Sequence, residues 1–258
     1  EEHGRGAPAM IEDGLFERFP VDEVYGMHNM PGLPVGQFAL RTGTMMASEA
    51  LFEITINGQG GHAAMPHRGV DAVVVGAEIV TALQTIVSRK LDPGLNGVVS
   101  VTDFKTDGQR NVLPGTAILT GDARALAPAV NVAIEEKMHR IVEGVCLAHG
   151  VEGRVTYQTI FEVLVNAQRP AAKAAEAAAS IAGADNVDTD CAPILASEDF
   201  AHMARARPGC FINAGNGTMG VHAKPLHSAD YDFNDDLLGP GAAFWVSLVE
   251  QELRAGAA

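Results

Sequence analysis

Thirty-two acidic residues against 18 Lys and Arg leave the 258-residue chain with a net charge of −14, which argues against a nucleic-acid partner, because phosphate binding needs clustered cations. Hydrophobic residues make up 47% of the sequence, enough for a real core in one large or two ordinary domains and too much for a disordered tail. The longest apolar stretch, 70–83, is interrupted by polar residues short of the ~20 apolar residues of a membrane span. The sequence therefore reads as soluble.

Cys146, Cys191 and Cys210 are sparse and lack CxxC spacing, which fits reduced thiols in a cytoplasmic setting. The opening on Glu1-Glu2, with no initiator Met and no signal-peptide pattern, reads as a truncated start.

In chain order, residues 7–16 suggest a short helix and 23–29 a strand. Residues 50–57 alternate Phe52, Ile54 and Ile56 with Glu53, Thr55 and Asn57, the period of a strand with one buried face. After a Gly-rich turn, 70–90 spaces Val70, Val73, Val74, Ala77, Val80, Leu83 and Val87 by three and four. That predicts an amphipathic helix with those residues inward, closed by Pro93 and Gly94. Residues 97–104 and 116–123 read as strands. Residues 129–149 read as a helix with Val132, Ile134, Met138, Ile141, Val142 and Val145 inward and Gly150 as its C-terminal cap, and 154–161 as a last strand.

This β-α-β-β-α-β order predicts a ferredoxin-like domain at about residues 47–160, with two helices on one face of an antiparallel sheet. The flanks, 1–46 and 161–258, are too small to stand alone. The second carries an Ala-rich helix at 171–182, a helix at 198–206, a strand at 210–214 and a terminal helix at 238–253. Together the flanks are expected to form one α/β domain that the central module interrupts.

Nine histidines among many carboxylates suit a Zn, Mn, Co or Ni site. His139 and His149 read as helix-surface residues, and His3, His67, His202 and His222 as solvated or hydrogen-bonded ones. His28 stands out at the C-terminal end of a strand candidate, where α/β sheets present ligands. His227 stands out in a loop after Gly- and Asn-rich sequence. The side chains of Glu1 and Glu2 diverge, so the pair can divide the work of base and ligand. His62 sits in a run of small residues that lets another surface approach; an incidental turn histidine reads equally well.

Taken together, Glu1-Glu2, Gly26-Met27-His28-Asn29-Met30-Pro31-Gly32, Gly60-Gly61-His62-Ala63-Ala64-Met65-Pro66-His67, Asn111-Val112-Leu113-Pro114, Ser197-Glu198-Asp199-Phe200 and Leu226-His227 with Tyr231-Asp232-Phe233-Asn234-Asp235 resemble the M20 metallopeptidase family. The likeness runs nearly end to end and is strongest to the hippurate hydrolase and N-acyl-amino-acid amidohydrolase branch. It implies a dinuclear-metal exopeptidase-like catalytic domain (1–46 and 161–258, incomplete) interrupted by a ferredoxin-like lid that dimerises (47–160).

The resemblance also implies roles. Glu1 resembles the general base. Glu2, His28 and His227 resemble metal ligands, with Glu2 and His227 on one ion and His28 on the other. His62 is similar to a lid histidine that stabilises the oxyanion in the partner subunit. Asn111 and Arg124 resemble the pair that recognises a substrate carboxylate, and Glu198 is expected near the substrate or as a cap of its own helix. Family members take a further His ligand and a bridging Cys or Asp from a preceding segment, and none of the three cysteines matches that bridge.

The function implied is metal-dependent hydrolysis of the amide of N-acyl or N-aroyl amino acids by a cytoplasmic homodimer with two divalent ions. The chain alone is expected to carry an incomplete site and to be a possible inactive fragment. The alternatives are a dipeptidase or carboxypeptidase of the same family and a non-catalytic dimerisation module. Neither nucleic acid nor membrane is an expected partner.

Overall fold

The computed structural model describes residues 1–254. In chain order it contains α1 (Gly6–Glu12), α2 (Leu15–Arg18), β1 (Val24–Pro31), β2 (Phe38–Ala39), β3 (Gly43–Met46), β4 (Ser48–Asn57), β5 (Gly61–His62), α3 (Ala72–Thr85), β6 (Gly97–Thr106), β7 (Val112–Leu113), β8 (Thr116–Ala125), α4 (Pro128–His149), β9 (Glu152–Phe161), β10 (Leu164–Asn166), α5 (Gln168–Ala182), β11 (Val187–Asp188), α6 (Phe200–Ala206), β12 (Gly209–Gly217) and α7 (Leu238–Arg254). The elements gather into two compact units. One comprises Glu1–Met46, Leu164–Ile194 and the chain from Glu198; the other comprises Ala47–Val163 and Leu195–Ser197.

In the second unit the period-two alternation of β4 puts Phe52, Ile54 and Ile56 into the core. The sheet is antiparallel in the order β6-β8-β4-β9, and α3 and α4 bury against it. A separate two-stranded pairing joins β5 to β7. Gly150 ends α4 in the left-handed conformation (φ 69°), its N–H returning to the last turn, as a C-terminal glycine does.

The inward face of α3 differs from the one the sequence spacing predicts. Ala72, Val75, Gly76, Ile79 and Leu83 are buried, whereas Val73 and Val74 are exposed, and Val87, in the π-helical turn Ile86–Lys90 that follows, is exposed as well. The helix is apolar around most of its circumference, so periodicity alone cannot choose its face. Contact with the sheet decides instead: a Cβ at Gly76 would lie 2.5 Å from the Phe104 ring as it stands, and the glycine lets helix and ring approach that closely. In α4, likewise, Val130 and Cys146 are buried while Val132 is exposed.

By length and composition the stretch Ala72–Lys90 is apolar enough to cross a bilayer, although the sequence reading finds no such segment. One side of it fills the core of this unit.

The first unit holds a four-stranded sheet ordered β1-β12-β2-β11, in which β1 and β12 are parallel. Along β12, Cys210, Ile212 and Ala214 face a cluster with Ala171, Ala174 and Ala178 of α5 and Phe244 and Leu248 of α7. Small alanines let α5 lie close to the sheet. The alternate residue Phe211 faces Phe200 and Ala201 of α6. Among the described residues β1 pairs with β12 alone and forms one edge. The helix expected over 7–16 is divided at Gly14 (φ 84°).

Candidate functional site

In the first unit, parallel pairing sets the register His28↔Asn213 midway along β1 and β12 rather than at the strand end expected for His28, with the pairing running on to Pro31 and Gly217 at the C-terminal ends. Those ends are where an open α/β sheet presents its ligand crevice. His28 Nδ1 lies 2.6 Å from the carbonyl oxygen of Asn29. A carbonyl only accepts, so Nδ1 carries the proton and Nε2 keeps its lone pair free for a ligand role.

Two other predicted residues of this unit meet each other from opposite ends of the sequence. His227 Nδ1 stands 3.8 Å from Glu2 Oε1, both side chains being exposed. His227 is the one non-glycine residue with positive φ (66°) among the described residues, a conformation that single functional residues hold when their surroundings fix it.

Glu1 and Glu198 complete the acidic side of the site. Partial burial, reinforced by Glu2, holds the Glu1 carboxyl above its ordinary range. Glu198 is buried and is also pushed up, first by desolvation and then by the charge of Glu1. Glu198 Oε1 accepts the Phe200 amide at 3.4 Å at the start of α6. Next to it, Asp199 Oδ2 accepts the Ala7 amide at 2.8 Å, which ties the first turn of α1 to the start of α6.

The donor chemistry, two carboxylates and two imidazoles with one Nε2 free, fits a borderline divalent cation. Glu2 and His227 form one pair and His28 stands apart. Among the described residues no group of three His, Cys, Asp or Glu side chains is gathered closely enough to hold an ion by itself.

The other predicted residues lie in the second unit. His62 pairs with Val112 across β5 and β7, and Ala63 N–H donates to Asn111 O at 3.1 Å, so His62 and Asn111 are brought side by side. His62 Nδ1 accepts the Ala64 amide at 3.0 Å, which leaves the neutral ring's proton on an exposed Nε2. Arg124 is fully engaged within its own unit. Its nitrogens reach Glu49 Oε1 at 3.1 Å and Asp122 Oδ2 at 3.0 Å, Leu195 O at 3.2 Å and Ser197 Oγ at 3.3 Å.

The family model for peptidase family M20/M25/M40 matches residues 1–251. The chain belongs to that family. Among curated relatives of this M20 chain, the hippurate hydrolase of Campylobacter jejuni is 34% identical over 98% of the chain and 65% of its own length. The N-acetyldiaminopimelate deacetylase of Exiguobacterium sibiricum is 34% identical over 88% of the chain and 61% of its own length. The crystal structure of the Bacillus subtilis YXEP protein, described as a dinuclear metal binding peptidase from the M20 family, superposes with a TM-score of 0.81 at 25% identity over 98% of this chain and 63% of that one. The chain thus spans somewhat under two thirds of the length of these relatives.

Sequence spacing alone misses several polar groups of this M20 chain. Asp199 carries no assigned role in the sequence, yet its carboxylate accepts from the first turn of α1. Asn213 is buried with its Oδ1 unpartnered on the face of β12 that His28 shares across the register. Asn216 is wholly buried and Asn29 partly so. An asparagine in a Gly-rich segment signals a turn first, so only the two motifs flanking these residues hinted at them.

Proposed function

We propose that this chain is the part of a metal-dependent amide hydrolase that carries the base and three ligands, acting on N-acyl or N-aroyl amino acids to release a carboxylic acid and an amino acid. The observation that carries the proposal is the approach of Glu2 and His227 to 3.8 Å, in the same unit as a histidine whose Nε2 is free. Hippurate hydrolase and N-acetyldiaminopimelate deacetylase relatives support the substrate class.

In this reading Glu2 and His227 belong to one divalent ion and His28 to a second, drawn from Zn, Mn, Co and Ni. When bound, the ions supply Lewis acidity toward the amide carbonyl and bring the pKa of water toward neutrality. Glu1 takes a proton from the attacking water and delivers it to the leaving nitrogen as the C–N bond breaks. The Nε2–H of His62, contributed from a partner copy, donates to the oxyanion. Asn111 and Arg124 hold the substrate carboxylate, Arg124 by exchanging an internal acceptor for it, and Glu198 lines the substrate side.

The first unit is accordingly the catalytic α/β domain and the second a ferredoxin-like lid through which two copies dimerise, in a cytoplasmic protein. The test is release of glycine from N-benzoylglycine by the metal-loaded protein, compared with Glu1→Gln and with a panel of dipeptides. Glycine release that Glu1→Gln abolishes supports the reading. Preference for dipeptides would reassign the chain as a peptidase, and no stoichiometric metal with no release would leave a dimerisation module.

A further inference from the structure

The loop that carries His227 has little hydrophobic anchoring: Met219, Val221 and Phe233 are all exposed. What fixes it is polar, and it converges on one side chain. Asn216, at the end of β12, is 0% exposed. Its Nδ2 donates to His222 O at 2.8 Å and to Asp232 O at 3.1 Å. Its Oδ1 accepts from Asn234 N at 2.9 Å and from Asn29 Nδ2 at 3.4 Å. Its backbone carbonyl accepts Asn234 Nδ2 at 3.0 Å.

A carboxamide offers two donors and two acceptor positions, and here all four are used. The two donors grip the loop on either side of His227, at 222 and at 232. One acceptor position holds the loop's exit at 234. The other reaches Asn29, whose own carbonyl fixes the proton of His28 and whose side chain also donates to Tyr231 Oη in the same loop. Gly217, next in sequence, has φ +126° and packs where a Cβ would stand 3.2 Å from His222 Cβ, so the backbone there is also shaped to receive the loop.

We infer that Asn216 is a positioning residue whose single buried carboxamide sets the His227-bearing segment 218–234 and braces it against Asn29, the neighbour of His28. The inference rests on the metal-hydrolase reading above. Aspartate is isosteric at this position but loses both donors and places a charge against two carbonyl oxygens. Alanine loses all four bonds.

The experiment compares the full chain with Asn216→Asp, Asn216→Ala, Glu2→Gln and the remote control Asn131→Ala. It measures amide hydrogen exchange over 218–234, the ring 15N shifts of His227 and His28, and affinity for Zn2+ alone. Both Asn216 variants are expected to speed exchange across 218–234 and to move the His227 ring shifts without metal. They are also expected to weaken Zn2+ binding by about 10- to 100-fold, the usual effect of losing a group that orients a ligand. Asn131→Ala should change none of the three.

If Asn216→Ala does not fold, Asn216→Asp decides. Loop exchange and ring shifts unchanged in a folded Asn216 variant would overturn the inference. Zn2+ binding that Glu2→Gln weakens but the Asn216 variants match within two-fold would overturn it too, leaving the hydrolase reading intact. Zn2+ binding indifferent to Glu2→Gln would instead refute the hydrolase reading, while the metal-free measurements still judged Asn216.

Discussion

Glu49 and Arg124 face each other across β4 and β8 at 3.1 Å, and Ser197 bridges them, its Oγ donating to Glu49 Oε2 at 2.7 Å and lying 3.3 Å from Arg124 Nη1. Both charged side chains are largely withdrawn from water, Arg124 at 23% and Glu49 at 19% exposure, so removing one leaves the other poorly solvated. Arg124→Ala is therefore expected to lower stability by roughly 1–3 kcal/mol, measured by urea melting. An unchanged midpoint would assign Arg124 to substrate alone.

Asp199 and Ala7 give a second stability test. The Asp199 carboxylate is buried and accepts the Ala7 amide at 2.8 Å. Asp199→Ala should cost about 1 kcal/mol, as loss of a helix-start acceptor does, and Asp199→Asn should recover most of it. Faster amide exchange at residues 5–9 in the alanine variant alone would show that the contact itself is responsible.

Burial beside Glu1 holds Glu198 above its ordinary pKa of 4.5. The folded state therefore binds the proton more tightly than the unfolded chain. Stability from this group is full below the unfolded pKa and is lost as pH rises through the folded one. Glu198→Gln should accordingly raise the melting temperature at pH 7 and leave it unchanged near pH 4. A gain equal at both pH values would refute the electrostatic account.

Cys210 is buried and its thiol is pushed up to about 12 by desolvation, from an ordinary 9.0. The unfolded chain ionises first, so stability should fall as pH rises above about 9. Cys210→Ala should flatten that fall by up to about 2 kcal/mol at pH 10.5, less whatever the lost packing costs at every pH. Thiol titration of the native protein should label Cys191, which is less buried, well before Cys210.

His62 offers a test of chemistry. With Nδ1 accepting from Ala64, long-range 15N correlation should find the Nε2–H tautomer in the neutral ring. His62→Ala should lower kcat by about 10²- to 10³-fold with a smaller change in KM, as loss of one oxyanion donor does. An equal loss carried by KM would place His62 in ground-state binding.

Strand alternation made β4 legible residue by residue, because its two faces meet different media. The face of α3 was not legible: Val73 and Val74 read as well as Ala72 and Val75, and Gly76 against Phe104 decides between them only in three dimensions. The motifs around Glu2 and His227 singled those residues out through family likeness. Nothing local to Asn216 predicts four bonds to partners at 29, 222, 232 and 234, since each depends on how the chain returns to the sheet. Arg124 shows the reverse limit, because a motif names the residue but not the acidic partners that already hold it.

Strand β1 has a hydrogen-bonded neighbour on one flank only among the described residues, so its other flank presents a row of amide and carbonyl groups with no strand beside it. Such a border templates further strands and invites chains to stick to one another. Neighbouring Asp22 and Glu23 supply charge at one end of it, but Glu23 is spent on Arg169 and Lys173. Protein concentration and ionic strength thus become structural variables in any preparation of this chain, and dilute, low-salt conditions are those in which it should stay dispersed.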